Sequence, residues 1–268
     1  MKLVQHSIVT LAALWQATGI LADSIVPYER LAKNDSALLI VDLQVGLAAA
    51  VRDWDATIFK NSVLAHAAIG RVYDIPVVMT TSVEFGPNGP LPKETLEMYP
   101  NQTPIKRPGE VNSWDSPGTH PRTLVLDQFR AAVKATGKHQ LIIAGITTDV
   151  CVAFLALSLR AEGYHVVVNL EASGTFNQRV ADAALARMQA AGVQVMNFFS
   201  INGELFRDWR FTNPSADQTV LFLDHYLAEE SWIVRLHAAA VTNGSLVGAG
   251  ELETITVRSN DTEVFINT

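Results

Sequence analysis

Five short apolar runs constrain the fold of this 268-residue chain more than any other feature. They are rich in valine and isoleucine, and polar residues do not alternate with the apolar ones. Runs of this kind are typical of parallel strands whose two faces are both covered by helices. We therefore predict an α/β fold, a three-layer αβα sandwich around a mainly parallel, doubly wound sheet. The predicted strands are residues 36–41, 75–80, 140–144, 165–169 and 193–197.

Helical stretches separate these strands. Three of them are followed by Gly137, Gly163 and Gly192, and glycine is the residue that commonly ends a helix. Residues 84–122 interrupt the alternation with a long loop rich in proline and glycine, and a loop of that length inside a domain is usually functional. The predicted helices are residues 59–73, 129–136, 151–162, 179–191 and 218–228.

The first 22 residues have the features of an export signal. Lys2 precedes an apolar run that ends before Ala22, and the run is short for a membrane span. The alternative is an amphipathic helix that is buried or faces another subunit. We expect a signal peptide at 1–22, a main domain at 28–212, and a C-terminal helix with an irregular tail at 213–268. The mature protein would be secreted and free of membrane segments, or cytoplasmic if the signal is not used.

Glycosylation sequons lie at Asn34, Asn101, Asn243 and Asn260.

Charge and histidine spacing exclude two classes of partner. The formal net charge is -7 and no basic stripe occurs, which argues against a nucleic acid. None of the seven histidines pairs with another at ligand spacing after the first strand, so we expect no metal. The expected partner is a small-molecule substrate, and no cofactor is expected.

Three candidate groups fall where such folds bind ligands, beyond the carboxyl ends of the strands. Asp42 ends the first strand, and Cys151 begins a helix after the 140–144 strand. The third is a cation in the long loop, Lys106 or Arg107. A helix N-terminus favours a thiolate and offers free N–H groups to an oxyanion. Without that context, a lone cysteine is more typical of a small buried hydrophobic residue.

The three groups together could carry out one nucleophilic reaction. A thiolate attacks a carbonyl or imine carbon, a carboxylate carries the proton to the leaving group, and a cation lowers the thiol pKa. Adjacent residues of an extended chain point in opposite directions, so only one of the two cations faces the sulfur. Asp42 could instead cap a helix, and Arg107 could be a surface charge. Further candidates for the substrate pocket are Gln44, Phe85, Asn112, Trp114 and Phe154.

The chain resembles the isochorismatase-like cysteine hydrolases, and most closely their YcaC-like branch. The resemblance covers residues 28–210 and includes TTSVEFGPNGP at 80–90, RPG at 107–109, NSWD at 112–115 and AGITTDVCV at 144–152. It implies that Asp42 and Cys151 are catalytic. The third member in the family is usually lysine, but the YcaC-like branch has arginine before Pro-Gly, which favours Arg107 over Lys106.

The resemblance also implies a cis peptide bond at Ile146–Thr147, with the backbone N–H groups of Thr147 and Cys151 as oxyanion donors. It implies a homo-oligomer, and it implies no metal, because the closely spaced histidine pair that the nicotinamidases use with an aspartate has no counterpart here. The chain departs from the family at Asp149, where glutamate is common. Residues 116–127 form an apparent insertion, which we interpret as a lid or a surface excursion.

We therefore predict a metal-independent hydrolase that cleaves a small amide or a related C–N bond through a Cys151 thioester. One alternative is isochorismatase-type cleavage of a vinyl ether, which does not need the thiol. The other is a non-catalytic secreted protein that uses the fold for binding or assembly.

Overall fold

A six-stranded, entirely parallel sheet forms the centre of the molecule in a computed structural model that describes residues 28–115, 128–208, 214 and 216–242. The strand order is β3-β2-β1-β4-β5-β6, so β1 and β4 lie at the centre and the chain winds outward in both directions. The predicted doubly wound parallel sheet is confirmed. The strands are β1 (Ser36–Val41), β2 (Val77–Ser82), β3 (Ile105–Arg107), β4 (Gln140–Gly145), β5 (His165–Asn169) and β6 (Gln194–Met196).

Helices cover both faces of the sheet. Side chains alternate along β1, so that Leu38 and Ile40 pack into one core and Leu39 and Val41 into the other. Burial on both faces explains why β1 is apolar throughout. The α-helices are α1 (Val45–Ala48), α2 (Ala56–Val72), α3 (Lys93–Met98), α4 (Gln128–Ala135), α5 (Ala153–Ala161), α6 (Gln178–Ala190), α7 (Phe198–Phe206), α8 (Ala216–Tyr226) and α9 (Ala228–Thr242).

The larger helices form two layers, one on each face of the sheet. The core that contains Leu38 and Ile40 takes residues from α2, α7 and α8, and the core that contains Leu39 takes residues from α4, α5 and α6. The three-layer αβα sandwich is thereby confirmed. A short 3₁₀ turn at Lys33–Asp35 precedes β1, and a single π-helical turn at Thr148–Val152 leads into α5.

The predicted element bounds differ from the observed ones in specific places. The second strand begins at Val77, two residues later than predicted, and β3 was not predicted because three residues among prolines give no apolar run. The helix predicted from residue 151 begins instead with the π-helical turn. The glycines predicted to end helices, Gly137, Gly163 and Gly192, all have positive φ, which glycine adopts without steric cost.

The described part of the C-terminal region contains two helices rather than the one predicted. Phe222 of α8 is fully buried, and its ring centroid lies 5.1 Å from that of Phe198. The side chain of Asn61 donates a hydrogen bond of 3.0 Å to the Tyr226 carbonyl. Thus α8 packs onto the same core as α2 and α7.

Several sequence predictions lie outside the described residues. These are the signal at 1–22, the insertion at 116–127, the tail after Thr242 and the sequons at Asn243 and Asn260. Asn101 is described and is exposed to solvent. Among the helices of the described part, none is both long enough and apolar enough to span a membrane.

Candidate active site

Asp42 lies at the carboxyl end of β1, in the middle of the sheet. Val41 pairs with Thr80 of β2 on one side and with Gly145 of β4 on the other. Asp42 has a φ of 54°, a conformation that few residues other than glycine adopt, and its N–H donates to the Thr80 carbonyl at 3.0 Å. The carboxylate is fully buried. The strand order therefore brings residues that follow β2, β3 and β4 close to one carboxylate.

Arg107 ends β3, and its side chain forms an ion pair with Asp42 through Nη2 and Oδ2. Both side chains are buried. Arg107 Nε donates to Thr80 Oγ1 at 3.0 Å, and Nη1 donates to the Glu110 carbonyl. Each edge of the planar guanidinium is thus used by a protein acceptor.

Lys106 points away from Asp42, as the alternation along a strand requires. Its ammonium forms an ion pair with Glu84 at 2.8 Å and lies 5.4 Å from the centre of the Phe85 ring. Of the two candidate cations, the structure therefore places Arg107 beside the carboxylate.

Cys151 lies in the π-helical turn after β4 and is partly buried. Its thiol lies close enough to the Asp42 carboxylate for each group to shift the pKa of the other. Asp42 Oδ1 has no hydrogen-bond partner among the described residues, so the carboxylate has acceptor capacity left for a donor such as this thiol. The peptide bond at Ile146–Thr147 is cis, as predicted.

The ionisation of Cys151 differs from the sequence expectation. Burial, followed by the charge of Asp42 and its hydrogen bond, raises the thiol pKa to about 12, and Arg107 and the Thr147 N–H oppose this only in part. Burial likewise raises the pKa of Asp42 above its usual value, although Arg107 acts in the opposite direction. Burial and the adjacent Asp42 thus act against the thiolate that the helix N-terminus was expected to favour.

The turn that carries Cys151 is fixed by its neighbours. A side chain at Gly145 would collide with the Val41 carbonyl, so only glycine allows β1 and β4 to approach this closely at the site. The Thr148 N–H donates to the Gly174 carbonyl at 3.0 Å. Asp149, at the position where the family commonly has glutamate, accepts a hydrogen bond of 2.7 Å from the Thr175 hydroxyl. The shorter side chain thus keeps a well-defined partner.

The two polar pocket candidates support loops instead of facing the thiol. Gln44 is fully buried, accepts a hydrogen bond of 2.8 Å from the Ser82 N–H and donates to the Gly89 carbonyl. The Asn112 amide donates to Ser158 Oγ at 3.0 Å. Both side chains therefore join the loop that follows a strand to another part of the sandwich.

The aromatic pocket candidates are dispersed. Trp114 is buried and packs edge-to-face against Phe129 and Tyr164, with ring centroids 6.3 Å and 6.1 Å away. Phe154 is half-buried, and Phe85 is 95% exposed. Trp114 is thus part of the core, whereas Phe85 is exposed on the surface that the described residues form.

Thr80 was not among the predicted site residues, and its only sequence signal is its place at the end of the predicted second strand. His66, which the sequence places in a helix as a surface or core residue, is fully buried between the Leu39 carbonyl and the Asn169 amide. Within the residues that the structure describes, no set of three histidine, cysteine or carboxylate ligands converges on Asp42.

Comparison with known proteins identifies relatives over most of the chain. The isochorismatase domain model matches residues 36–198. The probable hydrolase YcaC of Escherichia coli strain K12 is 47% identical over 199 residues, which are 74% of this chain and 90% of that protein.

Two solved structures of YcaC proteins are similar to this chain. YcaC from Pseudomonas aeruginosa, with hexane-2,5-diol and covalent acrylamide, is 47% identical with a TM-score of 0.69, over 82% of this chain and 99% of that one. YcaC from Escherichia coli, described as an octameric hydrolase of unknown specificity, is 42% identical with a TM-score of 0.72, over 80% and 98%.

Proposed function

We propose that this chain, which belongs to the isochorismatase family and is a hydrolase, uses Cys151 as a nucleophile to cleave a small amide or a related C–N bond. The observation that carries the proposal is a buried carboxylate, Asp42, that is paired with Arg107 and lies beside the only thiol of the chain. Such an arrangement can take up the thiol proton and return it.

In the first step, the sulfur forms a bond to the substrate carbonyl carbon while the thiol proton moves to Asp42. A thiol with a raised pKa is a poor nucleophile until its proton is removed, so proton transfer accompanies attack. The negative charge that develops on the substrate oxygen would be stabilised by the backbone N–H groups of Thr147 and Cys151. Arg107 favours the ionised form of the carboxylate and orients it before the transfer.

In the second step, Asp42 returns the proton to the substrate nitrogen as the C–N bond breaks, which leaves a thioester on Cys151. Water then attacks the thioester carbon, Asp42 accepts one of its protons, and the sulfur leaves and is reprotonated. Every proton that moves thereby passes through one carboxylate, and no metal is needed for the cycle.

A reactive nucleophile is also consistent with one of the relatives. The YcaC structure from Pseudomonas aeruginosa contains covalent acrylamide, which is a small amide and a reagent for nucleophilic side chains. Acrylamide is therefore a suitable probe for this chain, where one thiol is the only possible cysteine target.

We further propose that the protein is a homo-oligomer whose neighbouring subunit covers the mouth of the site. Escherichia coli YcaC is octameric, which supports the assembly. Apolar side chains that follow β1, β2 and β3 are exposed around the same edge of the sheet, as expected for a surface that a second copy covers. These residues are Val45, Val83, Phe85 and Val111.

The test is a screen of small amides, carbamoyl compounds and nitriles with wild type, Cys151→Ala and Lys106→Ala. The Lys106 variant is the matched control, because this exposed cation is adjacent to Arg107 but pairs with Glu84. We expect hydrolysis by wild type and Lys106→Ala and none by Cys151→Ala. Hydrolysis that survives in Cys151→Ala would favour the vinyl-ether chemistry, which needs no thiol. A correctly folded wild type that cleaves nothing would favour a binding or assembly protein.

A further inference from the structure

Thr80 contacts both partners of the buried ion pair. It is fully buried in β2, between the strands that carry Asp42 and Arg107. Its backbone carbonyl accepts the Asp42 N–H at 3.0 Å, and its hydroxyl accepts Arg107 Nε at 3.0 Å. The same hydroxyl donates to the Ile105 carbonyl at 2.8 Å.

The hydroxyl of Thr80 can therefore hold only one orientation. A hydroxyl has one proton, and here the Ile105 carbonyl takes it, which leaves a lone pair for Arg107 Nε. With Nε fixed by Thr80 and Nη1 by the Glu110 carbonyl, the remaining edge of the guanidinium faces Asp42. Three acceptors, one for each of the three guanidinium nitrogens, suit an arginine better than the single ammonium of a lysine.

From this juxtaposition we propose that Thr80 is a positioning residue that fixes the Arg107 guanidinium, and through it the Asp42 carboxylate, for proton exchange with Cys151. The proposal rests on the proposed function, since it assigns Thr80 a part in the same proton transfer. It also explains why arginine, and not lysine, occupies position 107. Only arginine has an Nε–H group that can donate to the Thr80 hydroxyl.

The experiment compares Thr80→Val, Thr80→Ser and Thr81→Val with wild type. Valine has nearly the shape of threonine but lacks the hydroxyl, whereas serine keeps it. Thr81→Val is the matched control: Thr81 is the next residue of the same strand, it is also buried, and its hydroxyl bonds Glu84 at 2.9 Å instead of Arg107. Two measurements are made on each folded variant: the rate of acrylamide labelling of Cys151 against pH, and kcat and KM for an amide that wild type hydrolyses.

For Thr80→Val we expect kcat to fall about 10- to 100-fold with little change in KM, which corresponds to the loss of one hydrogen bond to a charged group. The acid limb of the labelling profile should move upward by about one pH unit, because a poorly held Arg107 lowers the pKa of Asp42 less. Thr80→Ser should restore both values to near wild type, and Thr81→Val should leave both unchanged.

Other outcomes would overturn the inference without affecting the proposed function. If Thr80→Val is folded and keeps the kcat and labelling profile of wild type, Thr80 does not position Arg107. If Thr80→Val and Thr81→Val lose activity equally, the effect is general to the strand and the inference is also wrong. Failure of the proposed function gives a different result, namely hydrolysis that persists in Cys151→Ala.

Discussion

Replacement of Arg107 by methionine should destabilise the protein in a strongly pH-dependent way. Arg107 and Asp42 form a buried ion pair, and the carboxylate is 0% exposed. Removal of one partner of such a pair typically costs about 3–5 kcal/mol, because an uncompensated charge remains in the interior. We expect a loss of this size in the free energy of unfolding of Arg107→Met at pH 8.

The sign of the pH dependence follows from the pKa of Asp42. That pKa is already raised by burial, and Arg107 is the group that opposes the rise, so Arg107→Met raises it further. A carboxyl group whose pKa is higher in the folded than in the unfolded protein contributes most to stability at acid pH. This contribution falls by about 1.4 kcal/mol per pH unit as the pH rises from the unfolded pKa to the folded pKa. The loss caused by Arg107→Met should therefore be smaller at pH 5 than at pH 8, by about 2 kcal/mol.

Urea unfolding followed by tryptophan fluorescence at both pH values measures this difference. Lys106→Met is the control: the Lys106 side chain is 47% exposed in its ion pair with Glu84, so the pair should contribute about 0–1 kcal/mol at either pH. Two results would contradict this reasoning: an equal loss of unfolding free energy at pH 5 and pH 8 in Arg107→Met, or a loss no larger than that of Lys106→Met. Either result would mean that the charge of Asp42 does not depend on Arg107.

Three further predictions concern the carboxylate, the strand contact and the buried imidazole. Asp42→Asn should reduce hydrolysis at least about 100-fold and remove the acid limb of the pH–rate profile, which in wild type should lie above the usual aspartate range. Gly145→Ala should lower the free energy of unfolding by about 1–3 kcal/mol in urea titrations, because the added methyl group collides with a carbonyl. Gly203→Ala is the control and should not destabilise the protein, because its methyl group meets no atom within 4 Å. Burial lowers the pKa of His66 from 6.5 to about 4, so wild type should lose up to about 3 kcal/mol as pH falls from 6.5 to 4. His66→Gln should lose less over that range, and equal slopes for the two proteins would contradict the assignment.

Much of the site was predictable because strand ends are visible in the sequence. Asp42 and Cys151 follow short apolar runs, and neighbouring parallel strands place such positions at one edge of the sheet. The choice of Arg107 over Lys106 was harder to predict from the sequence pattern, because it depends on which way each side chain of β3 points. That strand has three residues and no apolar signature, so its pairing with β2 provides the missing information.

Ionisation and pocket shape could not be obtained from sequence patterns. The dipole argument for Cys151 considered its helix alone, whereas burial and the adjacent carboxylate dominate its pKa in the folded protein. Trp114 and Phe85 come from the same loop region, yet one is buried in the core and the other is almost fully exposed, which residue type does not determine. The export signal at 1–22 lies outside the described residues and stays a prediction.

The most direct test of the account is detection of the covalent intermediate on Cys151. Wild type is mixed with an amide that it hydrolyses, quenched with acid within a turnover, and analysed by intact-protein and peptide mass spectrometry. We predict one acyl group per chain, carried as a thioester by the peptide that contains Cys151, and no acyl group on Cys151→Ala. Turnover of the same amide without any adduct, together with retained activity in Cys151→Ala, would contradict the account.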